Sequence, residues 1–511
     1  MLKVLGIILV LVLALFFSIL TWKSKGKDLY KWIFIFIFIA FTLTWILPNG
    51  TMQGLKFVES GMSRLGLNDI PIIYLYAIYF GLSTIIFLLT LGGLYGVLKE
   101  TKGYQTLVKK MTKTVEKNYI TSAIIIMLLL FFLTSIFRIT LPTFVFIPLL
   151  VTVLLGAKFD KTTTMAITFG SILAGTIGAT YGTEGLFWFN NYMQFSVTSA
   201  LKYRLVFAGL VELAFVLFVV IKLVKSRKTN KPAVKGIRKT KTKEAKNVAS
   251  EKAEDLFAVE MPRSDAKIWP ILVLLIALFV IVVIGFVDWK TNFNLLWFEK
   301  LHEWFMSLKF GKDFTIFKYI LGSADSQNLV PGSWEISSLT IILLIFSLVI
   351  AIINRMKLND FASNFADGCK KMMKPISLYV MAYTVFIICY MTQIFAGITA
   401  WAWGLTKNFN AYIVAINAFV TSIFHADLGY TGYLIGPGIT VLGKHVDITH
   451  TIYVITYGLA HMFIPTSGLL LIGLSYLDIN YKSWIKYIWL FMLIIIAIFI
   501  IFIPIAQAVA K

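Results

Sequence analysis

Residues 175–185 read Gly175-Thr176-Ile177-Gly178-Ala179-Thr180-Tyr181-Gly182-Thr183-Glu184-Gly185, four glycines and three threonines around one carboxylate, inside a run that is otherwise apolar from 162 to 190. A second stretch, His461-Met462-Phe463-Ile464-Pro465-Thr466-Ser467-Gly468, interrupts the apolar run 447–474 in the same manner. Pro465 removes an amide donor and breaks a helical ladder. Unwound backbone at membrane depth is tolerated only where it lines protein or a cavity. There it offers carbonyls to cations and helix N-termini to anions. If the flanking runs cross a bilayer, these two stretches are helix breaks, and the chain is a membrane protein with a polar site near its midplane.

The flanking runs are long enough. Of 511 residues, 59% are hydrophobic and 14% charged, where a soluble chain averages roughly 45–50% and ~25%. A bilayer core needs about 20 apolar residues as a helix. Clear spans are 4–22, 29–48, 73–98, 200–222, 267–288, 336–355, 375–395 and 484–508, with interrupted apolar regions at 119–158, 162–190 and 408–474. Nothing alternates with period two over ten residues, which excludes a transmembrane β-barrel. The first run is too long for a secretory h-region and is followed by Lys23, Lys25 and Lys27, so it reads as a retained helix with its N-terminus outside. Cys369 and Cys389 form no CxxC or metal spacing.

The net charge of +22 would suggest nucleic acid on a soluble protein. Here it sets orientation. The loop segments 99–118 and 355–374 are lysine-rich, and 223–267 holds thirteen Lys or Arg, so all three are expected in the cytoplasm. Loops 49–72 and 396–407 are poorer in basic residues and are expected outside. The stretch 223–266 has no apolar periodicity and reads as a basic linker, with no nucleic-acid partner.

Helix order gives an inverted repeat. Residues 1–222 read as three helices, a hairpin at 119–158, a broken helix at 162–190 and a final helix. Residues 267–511 read as three helices, a hairpin at 408–443, a broken helix at 447–474 and a final helix. The first helix of one half starts outside and that of the other inside. The fold expected is all-α and polytopic, two inverted repeats each with a re-entrant hairpin and a broken transmembrane helix, which is a sequence pointer to a secondary transporter.

The hairpin tips add the remaining polar groups: Arg138, Thr140 and Thr143 in the first, and His425-Ala426-Asp427-Leu428-Gly429-Tyr430-Thr431-Gly432 in the second. Ionisable side chains cost about 2.5–3.5 kcal/mol on insertion scales and are paired, cavity-facing or functional. Arg138 suits a carboxylate, Glu184 and Asp427 a cation, and an Arg138–acid ion pair is the structural alternative. Glu212, mid-helix in 200–222, and His461 are proton-carrier candidates, or merely hydrogen-bond partners.

At this point the residues resemble the YfcC/DcuC-type carriers of the ion transporter superfamily over roughly 29–508. The resemblance rests on Thr44-Trp45-Ile46-Leu47-Pro48-Asn49-Gly50, on Leu91-Gly92-Gly93-Leu94-Tyr95-Gly96-Val97, and on Phe463-Ile464-Pro465-Thr466-Ser467-Gly468 followed by Ile479-Asn480-Tyr481-Lys482-Ser483-Trp484-Ile485-Lys486. It implies transport of dicarboxylates, short fatty acids or amino acids, including arginine for ornithine, and a homodimer. Its match puts substrate-side residues at Pro465, Thr466, Ser467 and Gly468, and by repeat symmetry at 178–184. Phe463-Ile464 stands where the family has a polar Asn, and the tip from His425 to Gly432 departs from the family's Ser-Gly-rich tip.

The expected function is therefore a secondary active transporter in the plasma membrane for a small carboxylate-bearing metabolite, an amino acid and in particular a basic one. The alternatives are a C4-dicarboxylate or short-chain fatty acid carrier and, from other classes, a membrane-embedded transferase or a channel. The expected binding set is Arg138, Thr140, Gly178, Thr180, Thr183, Glu184, His425, Asp427, His461, Pro465, Thr466, Ser467 and Gly468. No catalytic residue and no cofactor are called for. The coupling ion is Na+, near Thr180 and Thr466, or H+.

Overall fold

The computed structural model describes residues 29–61, 64–66, 68–137, 139–196, 198–229, 256–259, 262, 265–311, 314–315, 330–406, 408–425 and 427–509. The expected span 4–22, most of the basic linker and Arg138 lie outside the described residues.

Eight described helices are long and apolar enough to cross a membrane, which makes the chain an all-α polytopic membrane protein. In chain order the first half contains α1 (Leu29–Ile46), α2 (Asp69–Leu98), α3 (Lys102–Lys117), α4 (Tyr119–Ile136), α5 (Ile147–Gly156), α6 (Lys161–Met165), α7 (Ser171–Ile177), α8 (Glu184–Met193) and α9 (Leu201–Thr229). The second contains α10 (Trp269–Phe286), α11 (Trp289–Phe293), α12 (Trp297–Ser307), α13 (Ile336–Ile353), α14 (Leu358–Lys371), α15 (Met373–Thr392), α16 (Ile394–Trp403), α17 (Ala411–Phe424), α18 (Leu428–Thr440), α19 (Val446–His461), α20 (Gly468–Tyr476) and α21 (Tyr481–Val509). A short 3-10 turn, Pro142–Phe146, leads into α5, and a π segment, Ala166–Gly170, joins α6 to α7. The strands β1 (Asn49–Gln53) and β2 (Lys56–Gly61) pair as a hairpin, and so do the two-residue β3 (Lys309–Phe310) and β4 (Phe314–Thr315).

The spans differ in what they face. In α15, 67% of the apolar window is buried, against 28–39% in the other seven. α15 is therefore the central post, and the others turn an apolar face outward: Leu205, Leu213, Leu217 and Ile221 on α9, and Ile341, Ile345 and Ile352 on α13, are exposed. Exposed Leu and Ile on this scale are the face a bilayer covers.

Two lysine-rich segments read as loops are helices. In α3, Tyr104, Leu107, Val108 and Val115 are buried and fall on one helical face while the lysines point away. α14 places Phe361 and Phe365 toward the core and packs along α2. The backbones come close there: a Cβ on Gly92 would lie 2.5 Å from the Gly368 carbonyl oxygen, and one on Gly96 would collide with the Asn364 carbonyl. This Gly-xxx-Gly pair is how small residues bring membrane helices into contact.

Segments 119–158 and 408–443 each close on themselves. At the base of the first, Tyr119 stacks on Phe159 with centroids 3.8 Å apart, and Lys158 pairs with Glu116 at 2.8 Å. At the base of the second, Phe409 stacks on His445 at 4.2 Å. The arms are unequal in the first, where α4 has 18 residues and α5 ten, and near-equal in the second, where α17 has 14 and α18 has 13.

Candidate substrate site between the helix breaks

Both expected breaks are present. α7 stops at Ile177 and α8 starts at Glu184, where Thr183 caps it by accepting from Leu186 N at 3.2 Å. α19 stops at His461 and α20 starts at Gly468, where Ser467 caps it by accepting from Leu470 N at 3.4 Å. A cap oxygen satisfies one of the amides a helix start leaves open.

Each break is fastened to the end of the neighbouring hairpin arm by a threonine. Thr180 Oγ1 donates to the Ser135 carbonyl at 2.9 Å, and Thr466 Oγ1 donates to the Ile423 carbonyl at 2.5 Å. Ser135 strengthens the first joint: its carbonyl also accepts from Thr180 N at 2.9 Å, and its hydroxyl donates to the Gly178 carbonyl. At the second joint, Tyr481 and Trp484 hold the freed carbonyls of Phe463 and Met462 at 2.5 and 3.0 Å. The Tyr481 and Trp484 of the motif after the Pro-Thr-Ser-Gly run thus serve the break itself.

Between the breaks lies a cavity of about 430 Å³. Thr140, Thr183, Asp427, His461, Thr466, Ser467 and Gly468 line it. These seven of the thirteen expected residues come together from one hairpin tip, both breaks and the start of α18. Four others lie off the cavity. Gly178 packs on Ala208 and Phe131. Thr180 is buried against Ser135. His425 is buried, with Nδ1 3.1 Å from Thr431 Oγ1. Pro465 does not reach the lining. Arg138 and the side chain of Glu184 fall outside what the structure describes.

The Asp427 carboxylate caps α18, accepting from Gly429 N at 2.7 Å, and also faces the cavity. His461 Nε2 reaches the His425 carbonyl at 3.4 Å, and its ring lies 4.1 Å from that of Tyr457. Further wall comes from Phe80 on α2, Tyr379 and Tyr383 on α15, Glu335 just before α13, and Trp188 on α8. None of these was singled out in the sequence. Tyr379 and Tyr383 are one helical turn apart, a signal that could have been read as a polar-tipped stripe inside an apolar span. Glu335 had a weaker one, a carboxylate directly before a span. Among the described residues no group of three or more His, Cys, Asp or Glu could hold a metal ion.

Apolar spans surround a partly open cavity lined by both helix breaks, an arrangement that suits a membrane carrier. The chain belongs to the C4-dicarboxylate anaerobic carrier family, DcuC, which it matches over residues 4–508. It is a multi-pass plasma-membrane protein that moves a small molecule. Two solved structures are similar over nearly the whole length: the YdaH transporter of Alcanivorax borkumensis, at 13% identity and TM-score 0.40, covering 94% of this chain and 98% of that one, and MtrF of Neisseria gonorrhoeae, from a class of antimetabolite efflux pumps, at 12% identity and TM-score 0.38, covering 96% and 97%. Comparison with curated proteins gives no match.

Proposed function

We propose that this carrier moves an amino acid with a cationic side chain, such as arginine in exchange for ornithine. The charge of the cavity wall carries the reading. Its described ionisable side chains include two carboxylates, Asp427 and Glu335, and no Lys or Arg, and they share the wall with the rings of Phe80, Trp188, Tyr379, Tyr383 and Tyr457. Carboxylates and aromatic faces attract a guanidinium or ammonium group and repel a dianion. The N-termini of α8 and α20 at the two breaks supply amides and positive dipole ends for the substrate's own carboxylate.

The hairpins 119–158 and 408–443 act in this proposal as re-entrant elements of inverted repeats, with the cavity opening alternately to each side as the hairpin tips move with the breaks. A homodimer is part of the same proposal. A second reading, exchange of C4-dicarboxylates, is favoured by the family's description, with Arg138 beside Thr140 in sequence as the carboxylate partner.

Counterflow in proteoliposomes separates the two. Labelled arginine loaded against ornithine is expected to exchange saturably, with no competition from succinate or fumarate. Saturable dicarboxylate counterflow with no arginine movement overturns the proposal.

A further inference from the structure

Both carboxylate oxygens of Glu212 are buried, and among the described residues neither has a hydrogen-bond partner. The residue sits on α9, eleven positions from its start, which places it ~17 Å along a helix of 29 residues. That depth is the middle of a span.

Among the described residues its surroundings offer no counter-charge. α9 packs on α4, α7 and α21, and the Gly170 end of the π segment meets Phe215. α7 and the π segment carry no titratable residue, and α4 carries only Tyr119, held at the hairpin base by Phe159. On α21 the titratable groups are Tyr481, Lys482, Lys486 and Tyr487, all in its first two turns. On α9 itself, Arg204 and Lys222 lie eight and ten residues from Glu212 (~12 and ~15 Å), with Lys202, Tyr203 and Lys225 beyond them. Arg204 donates to the Ser199 carbonyl, and Lys222 lies over the rings of Phe218 and Tyr487. An anion here has no compensation, whereas the neutral acid needs none.

The position is also coupled to the cavity. Ala208, one turn from Glu212 on the same helix face, backs onto the first break, where a Cβ on Gly178 would lie 3.0 Å from Ala208 Cα. On its other side, α7 shows Leu173 and Thr176 to the cavity. A helix of seven residues therefore separates the substrate cavity from the contact one turn above the carboxyl group.

We infer that Glu212 is the proton-binding site of the transport cycle. It holds one H+ as the carboxylic acid while the break packs against Ala208. It releases that H+ to water when movement of residues 178–183 uncovers it, leaving the carboxylate to be reprotonated from the opposite side. One proton is bound and one released per turnover, with no other reactant. The inference rests on the reading as a secondary carrier and not on the identity of the substrate.

Infrared difference spectra of the purified full-length protein in H2O and D2O test it without transport. The wild type is expected to show a carboxylic-acid C=O band that shifts in D2O, absent from Glu212→Gln and present in Glu212→Asp. In proteoliposomes, arginine accumulation driven by an imposed pH gradient is expected to fall to simple equilibration in Glu212→Gln, while arginine–arginine exchange persists. An unchanged band in Glu212→Gln, no such band in the wild type, or equal loss of exchange and gradient-driven accumulation overturns the inference. If neither protein moves arginine, the substrate assignment falls and the infrared comparison alone decides the proton site.

Discussion

Nε2 of His450 lies 2.6 Å from Oδ1 of Asn190, and this bond joins the helix after the first break to the helix before the second. Both side chains are buried, flanked by the rings of Phe189 and Phe195 at 5.1 and 5.6 Å from the imidazole. Removing one partner strands the other in a low-dielectric setting. Asn190→Leu is expected to destabilise the protein by about 1–3 kcal/mol, read as a lower melting temperature in detergent. The double variant with His450→Phe should cost less than the sum of the two singles.

Asp427 has two tasks, capping α18 and presenting charge to the cavity, and a single substitution separates them. Asparagine caps as well as aspartate, so Asp427→Asn should leave the melting temperature nearly unchanged. Loss of a charge-assisted contact worth about 1.5–3 kcal/mol should weaken arginine binding by roughly tenfold or more. The concentration dependence of counterflow gives the number, and Glu335→Gln is expected to weaken it in the same direction.

The two threonine clamps make a matched pair. Thr466→Val and Thr180→Val keep the side-chain shape and delete one hydroxyl donor, leaving the Ile423 carbonyl, or one contact on the Ser135 carbonyl, unmet. Each should cost about 1 kcal/mol. Hydrogen exchange should rise at the adjoining hairpin arm, around 421–425 for the first and 133–137 for the second. A rise spread evenly over the chain would count against the clamps.

At the base of the first hairpin, Lys158 holds the Glu116 carboxyl below its ordinary value by a hydrogen bond and by charge, and Glu116 holds the Lys158 ammonium above its own. The stabilisation is thus complete near neutral pH. It fades in acid as pH falls through the depressed glutamate value, and in base as pH rises through the raised lysine value. Both side chains are largely exposed, at 48% and 80%, so the effect is small. Melting curves of the wild type and Glu116→Gln are expected to differ most near neutrality and to converge in acid.

What was readable in the sequence was what one helix decides by itself. The seven clear spans from 29 onward appear as helices, because length and apolarity suffice. Both breaks fall where Gly-Thr and Pro-Thr-Ser runs put them, because a missing donor or a flexible backbone acts locally. Segments 99–118 and 355–374 read as loops because their lysines outweighed a helical apolar stripe that buries on one side only. Ser135, Asn190 and His450 were invisible, since each matters through a residue at least 43 positions away. The wall residues Tyr379 and Tyr383 were hidden by the uniform apolarity of their span.

The crossing of the two broken helices has its own consequence. Gly458 on α19 lies so close to Ile177 and Thr176 that a Cβ there would collide with the backbone of Ile177. No side chain stands between the two main chains to yield, rotate or take up slack. Any side chain larger than hydrogen at position 458 would wedge the two broken helices apart, so the spacing between the two breaks is set by backbone against backbone.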